Sequence, residues 1–240
     1  MNSHLESLKP VLLPRSPDRV AIAMCGQGWS ALPTNQSDLN IWATNAFINN
    51  AYHSCMDFLI NVWFEIHNRE MFSQPKAWFP ASHPSGTWLK WLAETRKPVV
   101  MQQHHPEFPT SLPFPMDLFG DGPVEGTLDY MIVLATALGV KRLELYGCTY
   151  ASAHEFYYQR AGALYWIGYA RGKGVDVWIG HDALLLKPVL PGRYGWEYPP
   201  WPDKHHPNRD RWETLEPTLP LPVLGGESLN ENPEAWDEER

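Results

Sequence analysis

The stretch RVAIAMCGQGWSA, residues 19–31, decides the fold. Its first seven residues form a short apolar run suited to a buried strand, and the run stops abruptly at Gly26. Gly26-Gln27-Gly28-Trp29-Ser30-Ala31 then follows the pattern G-x-G-x-x-G/A directly after that strand, a setting in which glycines let the backbone approach a phosphate closely. The helix N-terminus expected after such a turn offers N–H groups and the positive end of a dipole, and Ser30 adds a hydroxyl donor. A tight turn that holds no ligand is the competing reading of the same residues.

On either side of this motif the chain alternates strands with helices. Asn40 to Thr44 (NIWAT) and Phe58 to Ile66 (FLINVWFEI) read as strands that end in polar groups, the first at Asn45 and the second at His67 and Asn68. TWLKWLAETR, from Thr87 to Arg96, puts Trp88, Trp91 and Leu92 on one helical face, and Pro98 ends it before a strand from Val99 to Gln102. Glu125 to Leu138 reads as a helix with Thr127 as N-cap and Gly139 as its stop, followed by a strand over Arg142 to Tyr146. The step repeats as a helix over Glu155 to Ala170 gives way, through Arg171, Gly172, Lys173 and Gly174, to a strand from Val175 to Ile179. His104 to Pro123, dense in Pro, Phe and Gly, reads as an irregular loop covering a site. Strands with little polar alternation, separated by helices, predict an α/β, Rossmann-like three-layer fold with a mainly parallel sheet, whose ligands bind at the carboxyl ends of the strands.

The 240 residues read as a leader over 1–17, one nucleotide-binding domain over 18–190, and an arm with an acidic tail over 191–240. Pro and Trp are abundant, at 23 and 12 residues, and they crowd the region after Pro188, which is expected to pack on the core or on a neighbouring subunit as a homo-oligomer contact. A net charge of -8 argues against general nucleic-acid binding, which needs clustered Lys and Arg. Cys25, Cys55 and Cys148 have no close pair and read as reduced core thiols. With no apolar stretch near the roughly 20 residues of a membrane span and no signal segment, the expected location is the cytoplasm, without membrane attachment.

Four segments carry a resemblance: CGQGWS, WATNAF, GTLDYMIVLATALGVKRLELYGCTY and EFYYQR. Together they are similar to a group of small tailed-phage proteins with a Rossmann-like fold, over roughly Arg19 to Lys187. More distantly, the glycine turn, the strand-end Asn and the helix-strand unit ending at Gly147 resemble bacterial sialyltransferases that use a CMP-activated sugar, and archaeal-type pterin pyrophosphokinases. The resemblance implies the fold, use of a nucleotide and, for a phage protein, the host cytoplasm. In the sialyltransferases the turn reads G-N-G-P-S and contacts the nucleotide. Gly26, Gly28 and Ser30 match it, Gln27 and Trp29 depart from it, and Asn45 matches the nucleotide-contacting Asn. Of that family's catalytic tyrosine pair, Tyr157 fits the second by spacing, while Ala151 occupies the first position and Tyr150 lies one residue off.

The residues themselves add candidates. Asn45 stands where a dinucleotide dehydrogenase places an Asp or Glu for the ribose, which weakens the oxidoreductase reading. His67 ends the third strand, where it serves as a general base, as a phosphate contact, or only as a satisfied loop residue. His154, Glu155, Tyr157, Gln159 and Arg160 crowd the helix start after the strand ending at Tyr146. There Arg160 neutralises a phosphate and His154 or Tyr157 moves a proton, unless the segment is a plain solvated helix start. His104-His105 and His205-His206 lack metal-site spacing, and Asp117, Asp121 and Asp129 form no Asp-x-Asp pair, so no protein metal site is expected and any Mg²⁺ is held through substrate phosphates. Two functions follow. One is a transferase using a nucleotide-linked donor, a sugar nucleotide or nucleoside triphosphate, with Gly26, Gln27, Gly28, Ser30, Asn45 and Arg160 binding it and His67, His154 and Tyr157 handling protons. The other is a non-catalytic protein that binds a small phosphorylated ligand or a protein partner.

Overall fold

The computed structural model describes residues 3–24, 32–33, 35–44, 57–69, 88–148, 150, 159–180 and 185. By its contacts the chain divides into Met1–Leu186 and Lys187–Arg240, and the second unit, with the Pro- and Trp-rich arm, lies outside the described residues.

Among the described residues, seven strands form one sheet: β1 (Arg19–Ala23), β2 (Asn40–Thr44), β3 (Val62–Glu65), β4 (Val99–Met101), β5 (Ser111–Pro113), β6 (Arg142–Tyr146) and β7 (Asp176–Ile179). Every neighbouring pair is parallel, and the order is β5-β4-β3-β2-β1-β6-β7. The chain therefore builds outward from β1 to β5, then returns to add β6 and β7 on the other side of β1. The order reverses between β1 and β6, and in open α/β sheets the crevice at such a reversal is where ligands sit. The expected α/β fold with a parallel sheet is thus present, and the sheet is parallel throughout.

Burial on both faces explains the unbroken apolar strands. One face carries Val20, Ile22, Trp42, Phe64 and Leu145 and is covered by the helices α1 (Ser3–Leu12), α3 (Thr127–Ala137) and α4 (Arg160–Gly172). The other carries Ala21, Ile41, Trp63 and Val99 and is covered by α2 (Trp88–Glu94). As the helical spacing predicts, α2 buries Trp88, Trp91 and Leu92. The Trp88 and Trp91 rings stack with centroids 4.9 Å apart, and both meet Trp63 edge-on. Helix α3 is buried on every side from Leu128 to Ala135, packed between the sheet and α4. Gly139 ends it with φ +79, a left-handed conformation that glycine adopts without cost.

Several expectations need correction. Residues 3–13 pack against the sheet. Leu5, Leu8 and Leu12 share one face of α1 and are buried, each adding roughly 1.5–3 kcal/mol of apolar burial, and the Trp42 indole donates to the Leu12 carbonyl at 2.9 Å. The apolar run from Phe58 is not one strand. A 3-10 turn, Asp57–Leu59, leaves Phe58 exposed, and β3 starts only after Asn61, whose amide oxygen accepts the Ile41 N–H at 2.8 Å. The segment His104 to Pro123 contains the edge strand β5 and a 3-10 turn, Met116–Phe119, so it completes the sheet. Within it the Ser111 hydroxyl accepts the His105 N–H at 2.9 Å and donates to Phe108 O at 2.7 Å, which fixes the turn before β5. Thr127 is the first residue of α3 rather than its cap. Gly126 holds the cap position, and Asp129 supplies the capping carboxylate.

Toward the amino end of the sheet, Glu144 accepts Arg19 Nη2 at 2.7 Å, Arg142 Nε at 2.9 Å and the Tyr146 hydroxyl at 2.8 Å. Burial raises the Glu144 carboxyl, but these donors together hold it below the usual range. The cations at the starts of β1 and β6 are therefore built into the strand pairing rather than simply solvated.

Candidate functional site

A parallel strand delivers its last side chain to the carboxyl edge, and β3 delivers two polar ones. Glu65, its final residue, is fully buried, and His67 lies two residues on with its side chain 29 % exposed. The Glu65 carboxylate is held from both sides. Trp88 of α2 donates its indole N–H to Oε2 at 2.7 Å, while His67 Nδ1 meets Oε1 at 2.7 Å. A carboxylate away from water survives only when it is paired with hydrogen-bond partners, and these contacts give one to each oxygen. The hydrogen bond that the ring donates to Glu65 is the main reason that the His67 imidazole titrates above its ordinary value, against the opposing effect of burial. With Nδ1 bound to the carboxylate, ring orientation is set.

His67 forms one wall of a cleft of about 190 Å³. Ile66 stands beside it, Val124, Glu125, Gly126, Thr127 and Tyr130 form the opposite wall at the entry to α3, and Gln159 closes one side at the start of α4. The chain before α3 is clamped there. Asp129 Oδ2 accepts the Glu125 N–H at 2.7 Å and the Gly126 N–H at 3.1 Å. The Glu125 carboxylate reaches across to the Gly162 N–H in the first turn of α4, at 3.1 Å, and Trp166 donates its indole N–H to Pro123 O at 2.6 Å. Two close approaches depend on missing side chains. A Cβ on Gly162 would lie 2.6 Å from Asp129 Oδ2, and one on Gly126 would lie 3.2 Å from Gln159 Oε1. Asp129 is fully buried, and Oδ1 has no hydrogen-bond partner among the described residues. Burial pushes its carboxyl up to about 7, partly offset by the two N–H donors.

Beyond β6, at the reversal of strand order, the backbone is unusual. Gly147 has φ +67, and Tyr150, a buried non-glycine residue, has φ +47. Such a conformation costs a side-chain-bearing residue of order 1 kcal/mol or more and concentrates at ligand sites.

Of the residues singled out in the sequence, His67 and Gln159 meet in the cleft. Arg160 begins α4, and its Nε donates to the Leu185 carbonyl at 3.0 Å, with burial lowering its pKa. It does not line the cleft. Gly26, Gln27, Gly28, Ser30, Asn45, His154 and Tyr157 lie outside the described residues. Sequence reasoning gave no role in this site to Glu65, Glu125 or Asp129. Glu65 left a signal, because it is the one charged residue in FLINVWFEI and precedes His67 by two positions. Cys148 is buried, and Cys25 and Cys55 lie outside the described residues. Among the described residues, no group of three His, Cys, Asp or Glu side chains is placed to hold a metal ion, and no helix is long and apolar enough to cross a membrane.

Comparison with known protein families, curated proteins and solved structures finds no match to this chain.

Proposed function

We propose that the chain is a transferase that binds a nucleotide-linked donor at the carboxyl edge of the sheet and uses His67 as its general base. The observation that carries this reading is the Glu65–His67 pair. A fully buried carboxylate that aligns a partly exposed imidazole in a cleft is costly to build for stability alone and is the arrangement that proton transfer requires. Two further features support it. In the sequence Gly26 follows Ala23, the last residue of β1, by three positions, and the strand order reverses at β1. Adjacent strands lie about 4.8 Å apart, which separates the ends of β1 and β3 by about 10 Å along that edge, a span that one extended ligand can bridge. On this reading Gly26, Gln27, Gly28, Ser30 and Asn45 hold the donor, as the sialyltransferase-like turn implies, and Mg²⁺ is carried by the donor's phosphates.

The test is thermal unfolding of the full chain with CMP, CDP, UDP, GDP, ATP and NAD and their sugar conjugates, with and without Mg²⁺. One nucleotide class at 100 times its Kd adds about 2.7 kcal/mol, which raises Tm by roughly 5–10 °C in a chain of this size. Gly28→Val abolishes the shift, whereas His67→Asn keeps the shift and loses turnover. Absence of any shift at millimolar nucleotide refutes the donor site. Full turnover in His67→Asn refutes the base.

A further inference from the structure

The chemistry of the cleft wall indicates which part of a substrate enters it. Among the described residues no lysine or arginine lines the cleft, and its charged groups are His67 and Glu125. A protonated His67 is balanced by Glu65 at 2.7 Å, so Glu125 leaves this wall net negative. Two helices begin here, and helix N-termini ordinarily attract anions through their N–H groups. Around this cleft three N–H groups are committed to the protein's own carboxylates. Asp129 takes the Glu125 and Gly126 N–H groups before α3, and Glu125 takes the Gly162 N–H of α4. A phosphate would meet the Glu125 charge and find these donors engaged. Thr127, Tyr130 and Gln159 add neutral hydrogen-bonding groups, with Ile66 and Val124 as apolar floor. The space of about 190 Å³ is enough for a small polar group.

We propose that this cleft is the acceptor subsite, which takes a neutral or ammonium-bearing group rich in hydroxyls or amines and excludes phosphate, with Glu125 accepting hydrogen bonds from the acceptor. This deepens the transferase reading and rests on it for the reaction, though not for the ligand class. In that reaction the acceptor oxygen or nitrogen forms a bond to the transferred group as the bond from that group to the nucleotide phosphate breaks. The electron pair leaves with the phosphate, and the acceptor's proton passes to His67 Nε2.

The experiment is an NMR titration of the His67 ring Hε1 signal in the full chain, at fixed pH and ionic strength, with ethanolamine, glycerol and inorganic phosphate as probes. Ethanolamine is expected to shift the signal saturably in the millimolar range, Glu125→Gln to weaken it about tenfold, and phosphate to give no saturable shift. The amide oxygen that Glu125→Gln introduces can still accept the Gly162 N–H, and Thr127→Val serves as a second variant that also weakens ethanolamine binding. Saturable phosphate binding that tightens in Glu125→Gln overturns the proposal, as does the absence of saturable binding by ethanolamine and glycerol. If ethanolamine binds while the nucleotide panel fails, the donor reading falls and the subsite stands.

Discussion

Replacing Asp129 with Asn exposes how much the cleft wall costs the fold. The carboxyl is fully buried, and burial pushes it up to about 7, against an ordinary value near 3.9. Between about pH 4 and pH 7 the folded protein therefore retains a proton that the unfolded chain has released. Stability falls as pH rises through that window and is constant above it. A displacement of about three pH units corresponds to roughly 4 kcal/mol, a large share of the roughly 5–15 kcal/mol that holds a domain folded. In Asp129→Asn the amide oxygen keeps the Glu125 and Gly126 N–H bonds and nothing titrates, so the variant lacks this dependence while sharing every other ionisation. The measurement is urea unfolding of both proteins from pH 4 to pH 8, followed by tryptophan fluorescence and far-UV circular dichroism, with matched m-values as the control. The unfolding free energy of the wild type minus that of the variant should decline by about 4 kcal/mol across the range. A difference constant to within about 1 kcal/mol would refute the reasoning, because it would mean that the two N–H donors fully compensate the carboxylate for burial.

Gly162→Ala places a methyl group against Asp129 Oδ2, and the crowding, worth roughly 1–3 kcal/mol, outweighs the gain of about 1 kcal/mol in helix propensity, so Tm should fall. Trp88→Phe keeps most of the stack with Trp91 but deletes the indole N–H on buried Glu65. The expected loss is roughly 1.5–3 kcal/mol by chemical denaturation, together with a changed His67 titration by NMR. Glu65→Gln removes the charge-assisted hydrogen bond and the charge that hold the His67 pKa up, so the His67 titration should move to lower pH, and activity that uses the neutral ring as base should persist to correspondingly lower pH. An unmoved titration would mean that Glu65 does not set the imidazole.

The parts of the fold written in local sequence were legible. RVAIA, the 88/91/92 face of α2 and the Gly139 stop each depend on residues a few positions apart, and the structure has them where periodicity and glycine conformation require. What escaped reading depends on partners distant in sequence. β5 is three residues long and ends in Pro113, so no period marks it, and it exists because β4 offers an edge to pair with. Asn61 splits an apolar run because its side chain pairs with Ile41, 20 residues earlier. Glu65 gains its meaning from Trp88, 23 residues away, and Glu125 from Gly162, 37 residues away. His67 could be suspected from its position at a strand end and Glu65 from its lone charge two residues before it, but the indole that completes the pair could be recognised only once α2 was packed above the sheet.

The return of β6 to the flank of β1 also sets a timetable. β1 is translated before the partner for its second edge, which begins at Arg142, about 120 residues later. At roughly 5–20 residues per second, that edge waits on the order of 6–24 s with its N–H and C=O groups unmatched. An apolar strand left open in this way is a template for the wrong neighbour. Slow translation or premature termination between β5 and β6 therefore exposes the molecule to aggregation at a strand that ends up inside its sheet, and the interval ends only when the ribosome has released β6.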